Sequence, residues 1–569
     1  MRNVRSGSNS DLDAPKREVR FAPINRHRQL GAARPISAIC RHGRAVDLGP
    51  APRKLTLDRR PASPLRRTHV WCFVTEPDKV VGIGHPELTA HTGLWQISGA
   101  QMLSTDYLII GSGALGMSFA DQLLTETDAN MVIVDRHHMP GGHWNDAYPF
   151  VRLHQPSAYY GVGSRALGSS RLDVAGFNRG YYELASGAQI ISYYDRLMNE
   201  RFLPSGRVQY FPLCDYQGDN RFASRLSGDI QQVTIRKKLV DATFLNTQVP
   251  STHVPSFELC DGVRLVTPNV LPKFAPDFKS YVILGGGKTA MDVGVWLLQM
   301  GAAPESIRWI VPRDSWLRNR DKVQPGEAFF KQTAGGQANQ LEAAAEATCI
   351  ADLLERLERT GEILRIDTTV TPTMYRGATI SCLEVEALRS IKDVVRKGRV
   401  LRIEHQTVIL EHGTIEGCSG SLYVDCTAKA FDTRPSVRVF DGDRITIQML
   451  RSGAFCLSAA VIAHIEAAYD DETIKNELCK PMQSPNAPED LVRRALEELQ
   501  AGRRWSVDKT LHRWVAEHRL TGAGIGQADA AAHDPDADRI RKRLREARPK
   551  AEANLSRLIA ELAPESLRH

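Results

Sequence analysis

Tyr107-Leu108-Ile109-Ile110-Gly111-Ser112-Gly113-Ala114-Leu115-Gly116 is the stretch on which the fold turns. An apolar run that ends in G-x-G-x-x-G reads as strand, tight turn and helix. This arrangement points the N–H groups of a helix N-terminus at a pyrophosphate. Gly111 permits the turn, Gly113 lets the backbone approach the phosphates, and Gly116 lets helix and strand pack closely. The pattern predicts a helix near 115–125 and a strand over 131–134 that ends in Asp135, 22 residues after Gly113. A carboxylate at that strand end accepts ribose hydroxyls and repels a 2′-phosphate. The site therefore fits the ADP half of FAD or NAD rather than NADP.

A second such turn follows on the same chain. Tyr281-Val282-Ile283-Leu284 leads into Gly285-Gly286-Gly287-Lys288-Thr289-Ala290, with alanine in the third position. A helix is expected near 288–300 and a strand near 307–312, after which come Arg313, Arg318 and Arg320. Arginine at that strand end suits a 2′-phosphate, because its planar fork matches the phosphate oxygens. One charge-assisted contact of about 1.5–3 kcal/mol predicts roughly ten- to a hundredfold preference for NADPH over NADH. Arg313 also reads as a solvated surface residue, and Lys288 and Thr289 either contact phosphate or simply start the helix. Two such turns on one chain predict an α/β protein with two Rossmann-like domains holding two dinucleotides for electron transfer.

The residues after Asp135 run Met139-Pro140-Gly141-Gly142-His143-Trp144 and then Tyr148-Pro149-Phe150-Val151-Arg152-Leu153-His154. Over about 105–470 the chain resembles the flavin-dependent monooxygenases of the two-dinucleotide type, which include Baeyer–Villiger and N-hydroxylating enzymes. The resemblance implies FAD at the first turn, with Gly142 and Trp144 along the flavin, and NADPH at the second. It also implies hydride transfer to the flavin, reaction with O₂ at C4a, and transfer of one oxygen to a small organic substrate. Val424-Asp425-Cys426-Thr427-Ala428 is similar to the family's domain-linking strand end.

Two departures bear on the chemistry. His154 stands where Baeyer–Villiger enzymes carry an aspartate, and the interval 263–274 holds no histidine. Their absence removes support for lactone- or ester-forming chemistry. His143, Arg152 and His154 are the polar residues expected nearest the flavin, with Arg152 holding negative charge on oxygen and His154 relaying a proton near neutral pH. His154 reads equally as a structural histidine, and Trp144 as a core tryptophan. Alternatives are an NAD(P)H oxidase or dehydrogenase without oxygen transfer, or a flavin-binding redox sensor or scaffold.

Composition sets the remaining bounds. The chain has 569 residues, 42% hydrophobic and 24% charged, and no apolar run long enough to predict a membrane span. The ten cysteines include no C-x-x-C pair, which excludes a dithiol reductase, suggests no metal and fits reduced thiols in the cytoplasm. The formal charge of +7 is concentrated in residues 1–100, where 17 Lys and Arg face 8 Asp and Glu. The body of the chain gives no support for nucleic-acid binding. Residues 1–101, with nine prolines and fourteen arginines, read as a disordered extension or as sequence upstream of a true start at Met102.

The expected organisation is an FAD-binding domain over 102–280, an NAD(P)H-binding domain over 281–430, a return segment over 431–486 and a helical C-terminal region over 487–569. Substrate loops are expected in 145–280 and 315–400, with Trp316–Arg320 and Gln324–Gln340 lining a channel or moving over the nicotinamide. The apolar stripe Ile540, Leu544, Ala547, Ala551, Leu555, Leu558 and Leu562 has helical spacing, with Pro549 expected to kink that helix. The stripe reads as packing on the chain's own domain rather than as a partner surface.

Overall fold

The computed structural model describes residues 103–431, 434–521 and 535–562. The expected N-terminal extension lies outside the described residues. Leu103–Ile110 is central to a sheet in which it pairs in parallel with Met131–Val134 and with Ile230–Asp241. Met131–Val134 continues the sheet in parallel to Val208–Phe211. On the opposite edge Arg444–Thr446 adds in parallel to Ile230–Asp241, so chain from far downstream closes the first sheet. Every residue of Met131–Val134 is buried, as expected for a parallel strand covered on both faces.

Helices cover one face of that strand, at Met131 and Ile133, while Val132 and Val134 on the other face pack with Cys214, Phe222 and Val233. Ala114–Glu126 follows the first glycine turn and packs against Phe455–Ala468. The latter is apolar nearly all round, with Cys456 through Ile465 buried without interruption. A helix of that kind belongs inside a core rather than on its surface. Ser118 Oγ donates to the Cys456 carbonyl at 2.8 Å and fixes the pair where both helices begin.

The first sheet carries antiparallel strands at Phe440–Asp441, Cys214–Gly218 and Arg221–Ser224, whereas the second is parallel throughout, in the order Leu265–Val266, Leu422–Asp425, Tyr281–Leu284, Ile307–Ile310, Asp393–Val395. Tyr281–Leu284 pairs with the next strand in sequence on one side and with Leu422–Asp425 on the other. The strand order therefore reverses beside the second glycine turn, which is where open α/β sheets bind ligands. Helix Lys288–Gln299 covers this sheet and packs on helix Cys382–Arg389.

The stretch expected to form mobile substrate loops is largely regular. Ser315–Asn319 is the middle strand of a small sheet, and Phe330–Glu346 is a helix. Helices Pro488–Val507 and Pro535–Glu561 pack against that region, and Pro549 is carried inside the latter helix. Ala547, Ala551, Leu555 and Leu558 of the apolar stripe join one buried cluster with Trp316, Leu341, Leu353 and Val492. The stripe therefore packs on its own chain. Each large aliphatic side chain so buried contributes about 1.5–3 kcal/mol. No helix among the described residues is long and apolar enough to cross a membrane.

Candidate functional site

The first turn closes on its glycines. Gly111 has φ +100°, and a Cβ placed on Gly116 would fall 1.9 Å from the Gly111 carbonyl oxygen, so strand and helix meet there backbone to backbone. Gly113 caps helix Ala114–Glu126 and faces the backbone of Gly142. A Cβ on Gly113 would lie 3.5 Å from the Gly142 Cα, and one on Gly142 would lie 2.9 Å from the Gly113 Cα. The Gly141-Gly142 segment is thus seated directly against the turn, and the Gly141 N–H donates to the Ser112 carbonyl at 2.8 Å. This cradle, free of side chains, fits a pyrophosphate.

Asp135 ends the second strand, is 6% exposed and has both oxygens occupied. Its Oδ2 accepts from Ser112 N at 2.6 Å and Ser112 Oγ at 2.9 Å, and its Oδ1 accepts from His137 N and pairs with His137 Nδ1, both at 2.8 Å. Burial alone would raise its pKa, but the hydrogen bonds from His137 and Ser112 hold it below the usual carboxylate range. His137 also reaches Asp146 Oδ2 at 2.8 Å, and the two carboxylates push its pKa up. A ribose at this strand end has to exchange with Ser112 Oγ or with the His137 ring.

His143 stacks on Trp144, with ring centroids 5.2 Å apart, and burial lowers its pKa to about 4. The Trp144 indole donates to Tyr160 OH at 2.7 Å and packs against the first core. From there the chain runs into the second sheet's helix. Phe150 stacks on Trp296 at 5.0 Å, and Tyr148 OH donates to Asp292 Oδ2 at 2.7 Å.

Arg152 and His154, expected together beside the flavin, are separated. The Arg152 side chain is exposed, while its backbone bridges to Ser186. His154 turns inward, and its carbonyl accepts from Arg320 Nε at 3.1 Å. Burial, with Lys288 and Arg320 nearby, lowers the His154 pKa to about 3. The ring is therefore neutral at physiological pH, and proton relay through an imidazolium near pH 7 is not what this environment provides.

The second turn has the same logic. Gly285 has φ +122°, and a Cβ there would sit 2.7 Å from the Cys426 carbonyl oxygen. Gly287 caps helix Lys288–Gln299, and a Cβ on it would meet nothing within 4 Å, which leaves room for phosphates at the helix start. Ala290 is fully buried under the helix. Lys288 turns away from that opening and pairs with Asp292, with Glu384 Oε1 3.8 Å away. It belongs to a buried charge group rather than to the phosphate site. Arg313 lies against the turn through its backbone, since a Cβ on Gly286 would be 2.6 Å from its carbonyl oxygen. Its Nη2 donates to Asn486 Oδ1 at 3.0 Å.

The centre of the buried group is Arg320, which the sequence offered with Arg313 and Arg318 as an arginine for a 2′-phosphate but whose partner Glu384 it did not reveal. Arg320, 1% exposed, pairs with Glu384 Oε2 at 2.6 Å and donates to Asn178 Oδ1 at 3.3 Å. Burial opposes the charge on Glu384, yet Lys288 and Arg320 lower its pKa to about 2. The available signal was the capping box Ser381-Cys382-Leu383-Glu384, which marks a helix start but not a charge partner. At the strand end beside the second turn, Asp425 Oδ1 accepts from Thr427 N and Oγ1, whereas its buried Oδ2 has no protein partner. Among the described residues no cluster of metal-ligating side chains occurs.

Two sheets, each opened by a glycine turn at a helix N-terminus, define a protein with two dinucleotide folds. The chain belongs to the family of the uncharacterized protein Rv2000 of Mycobacterium tuberculosis, with which it is 47% identical over 421 residues, 74% of this chain and 78% of the relative. The uncharacterized protein Mb2023 of Mycobacterium bovis matches with the same identity and coverage. No protein-family model matches the chain. Among solved structures, a flavin-containing monooxygenase from Stenotrophomonas maltophilia is 18% identical, with 62% of this chain and 88% of that one covered and a TM-score of 0.33. Cyclohexanone monooxygenase from Rhodococcus sp. Phi1 bound to NADP+ is 12% identical, covering 64% and 84%, with a TM-score of 0.41. The bacillithiol disulfide reductase of Staphylococcus aureus is 12% identical, covering 65% and 100%, with a TM-score of 0.40.

Proposed function

We propose that the chain is an FAD-dependent NADPH oxidoreductase of the monooxygenase type, acting with O₂ on a small organic substrate. The observation that carries this reading is the pair of glycine turns at helix starts, the first lined by the Gly141-Gly142 backbone and the second open at Gly287, joined by the segment Gly142–His154. Gly111, Gly113, Gly116, Gly142 and Asp135 would hold FAD, with Trp144 beside it. Gly285, Gly287, Ala290 and Arg313 would hold NADPH, with the guanidinium of Arg313 for the 2′-phosphate. When bound, the flavin supplies hydride acceptance from NADPH and, once reduced, the activation of O₂.

The chain's own residues supply orientation and exclusion of water. Trp144 is fixed by Tyr160, and Tyr148 by Asp292, so the segment between the two turns is held at both ends. His143 and His154 are neutral and half-buried, so each offers an N–H hydrogen bond to a reacting group without introducing a charge.

A second reading, an NAD(P)H oxidase or dehydrogenase, is favoured by one observation. His154 is neutral, so it does not supply the proton relay near neutral pH that oxygen transfer was expected to draw from this stretch. The test is to reduce the flavin-loaded full chain with NADPH anaerobically, mix it with oxygenated buffer and follow absorbance and peroxide. A transient oxygen adduct before reoxidation supports the monooxygenase reading. Direct reoxidation with stoichiometric peroxide supports the oxidase reading.

A further inference from the structure

Arg376 lies on the strand Met374–Ile380, outside the second parallel sheet. Its Nη2 and Nε donate to Asn486 Oδ1 at 3.1 and 3.3 Å, and its Nη1 donates to the Lys429 carbonyl at 2.9 Å. Arg313 Nη2 donates to that same Asn486 oxygen at 3.0 Å. Two guanidiniums thus converge on one neutral amide oxygen, and both are partly buried. Neither has a carboxylate within ion-pair distance among the described residues. The neighbouring Arg399 is paired, with its Nη1 3.2 Å from Glu411 Oε1.

Such a pair is costly unless an anion accompanies it. Burial lowers the pKa of both, and like charge adds to it, from Arg399 at Arg313 and from Arg313 and Arg399 at Arg376. Ordinary surface arginines avoid this by pairing or by pointing into water. Asn486 is itself locked. Its N–H and that of Ala487 donate to Asp490 Oδ2 at 2.8 and 2.9 Å, and its carbonyl accepts from Tyr375 N at 3.3 Å. The segment leading into the C-terminal helix Pro488–Val507 therefore holds both forks in place.

We infer that Arg376, aligned with Arg313 by Asn486, is a specificity-determining residue that binds the 2′-phosphate of the dinucleotide at the second turn. This rests on the nucleotide reading of that turn. A dianionic phosphate monoester supplies the charge that the pair lacks, and each fork can present parallel N–H donors to its oxygens. The location agrees, because Arg313 follows the strand Ile307–Ile310 and its backbone touches Gly286. The ribose of a dinucleotide on such a turn lies at the end of that strand. The determinant is thus shared between the turn and the inserted strand, with Asn486, just before helix Pro488–Val507, positioning both arginines.

The test is equilibrium binding of NADPH, NADH, 2′,5′-ADP and 5′-AMP to the full chain, to Arg376→Ala, and to Arg376→Lys. The wild-type chain is expected to prefer NADPH and 2′,5′-ADP over NADH and 5′-AMP by at least about tenfold. Arg376→Ala is expected to lose about tenfold or more in NADPH affinity with NADH unchanged, and Arg376→Lys to fall between. Binding of NADPH and NADH with equal affinity by the wild type, or an unchanged preference in Arg376→Ala, overturns the assignment while leaving the dinucleotide site standing. Failure of every nucleotide to bind overturns the nucleotide reading itself. The wild-type comparison needs no variant to fold.

Discussion

Arg320 and Glu384 meet at 2.6 Å with almost no exposure to solvent, and they tie the segment that ends at His154 to helix Cys382–Arg389. The pair carries charge in the interior because it is supported. Glu384 also accepts from Ser381 N at 2.8 Å and faces Lys288, while Arg320 reaches the His154 carbonyl and Asn178. Removing one member strands the other, at a cost of about 3–5 kcal/mol. Glu384→Gln and Arg320→Met are each expected to lower urea-unfolding stability by that amount. The double variant is expected to lose less than the sum, because the two share one network.

Acid should weaken the fold in two stages. His154 titrates at about 3 and His143 at about 4 in the native state, below the 6.5 of an ordinary histidine. Between these values the unfolded chain binds more protons, so stability rises with pH across that window and is lost as pH falls through it. Glu384, held at about 2 against 4.5, adds stability that is complete above 4.5 and disappears as pH falls toward 2. His137, whose pKa is raised, acts in the opposite sense and favours the fold below 6.5. Melting temperature measured from pH 8 to pH 4 is expected to decline below about 6.5, with a shallower decline in His154→Gln.

Two glycines, one in each nucleotide turn, separate binding from folding. Gly287 has φ −88° and an open space where a Cβ would go, so Gly287→Ala is expected to leave stability within about 0.5 kcal/mol of wild type. Its methyl group would occupy the phosphate approach, and NADPH affinity is expected to fall at least about tenfold. Gly116→Ala places its Cβ 1.9 Å from a backbone oxygen and is expected to prevent stable folding. Calorimetry for stability and titration for affinity check both expectations.

The C-terminal helix is structural support. Leu555 is 1% exposed in the cluster that includes Trp316 and Leu353. Leu555→Ala is expected to cost about 2–5 kcal/mol in chemical denaturation, as for other buried leucines.

The parts of the fold legible in the sequence are those set by local pattern. Tyr107–Ile110, the glycine turn and Met131–Val134 are fixed by short-range periodicity and by turns that only glycine can make, and the structure places them there. Arg152 is exposed and His154 half-buried, a difference that adjacency in sequence does not set, because it does not fix the direction of a side chain in an irregular segment. Arg320 and Glu384 are 64 residues apart, and Arg376 and Asn486 are 110 apart. No local periodicity encodes such pairings, since only tertiary packing brings their elements together. Helix Phe330–Glu346 was hidden by Gly335 and Gly336, which weaken helix propensity until the C-terminal helix packs against it.

On the proposed function, one chain holds FAD at Gly111–Gly116 and NADPH at Gly285–Ala290 and passes hydride from the nicotinamide to the flavin. The most direct measurement is anaerobic stopped-flow absorbance of the full chain loaded with FAD, mixed with NADPH or with NADH. The account predicts stoichiometric bound flavin that bleaches on a turnover timescale, faster with NADPH, with Gly287→Ala retaining the flavin but bleaching slowly. A chain that binds no flavin, or one whose bound flavin stays oxidised with both nicotinamides, would contradict it.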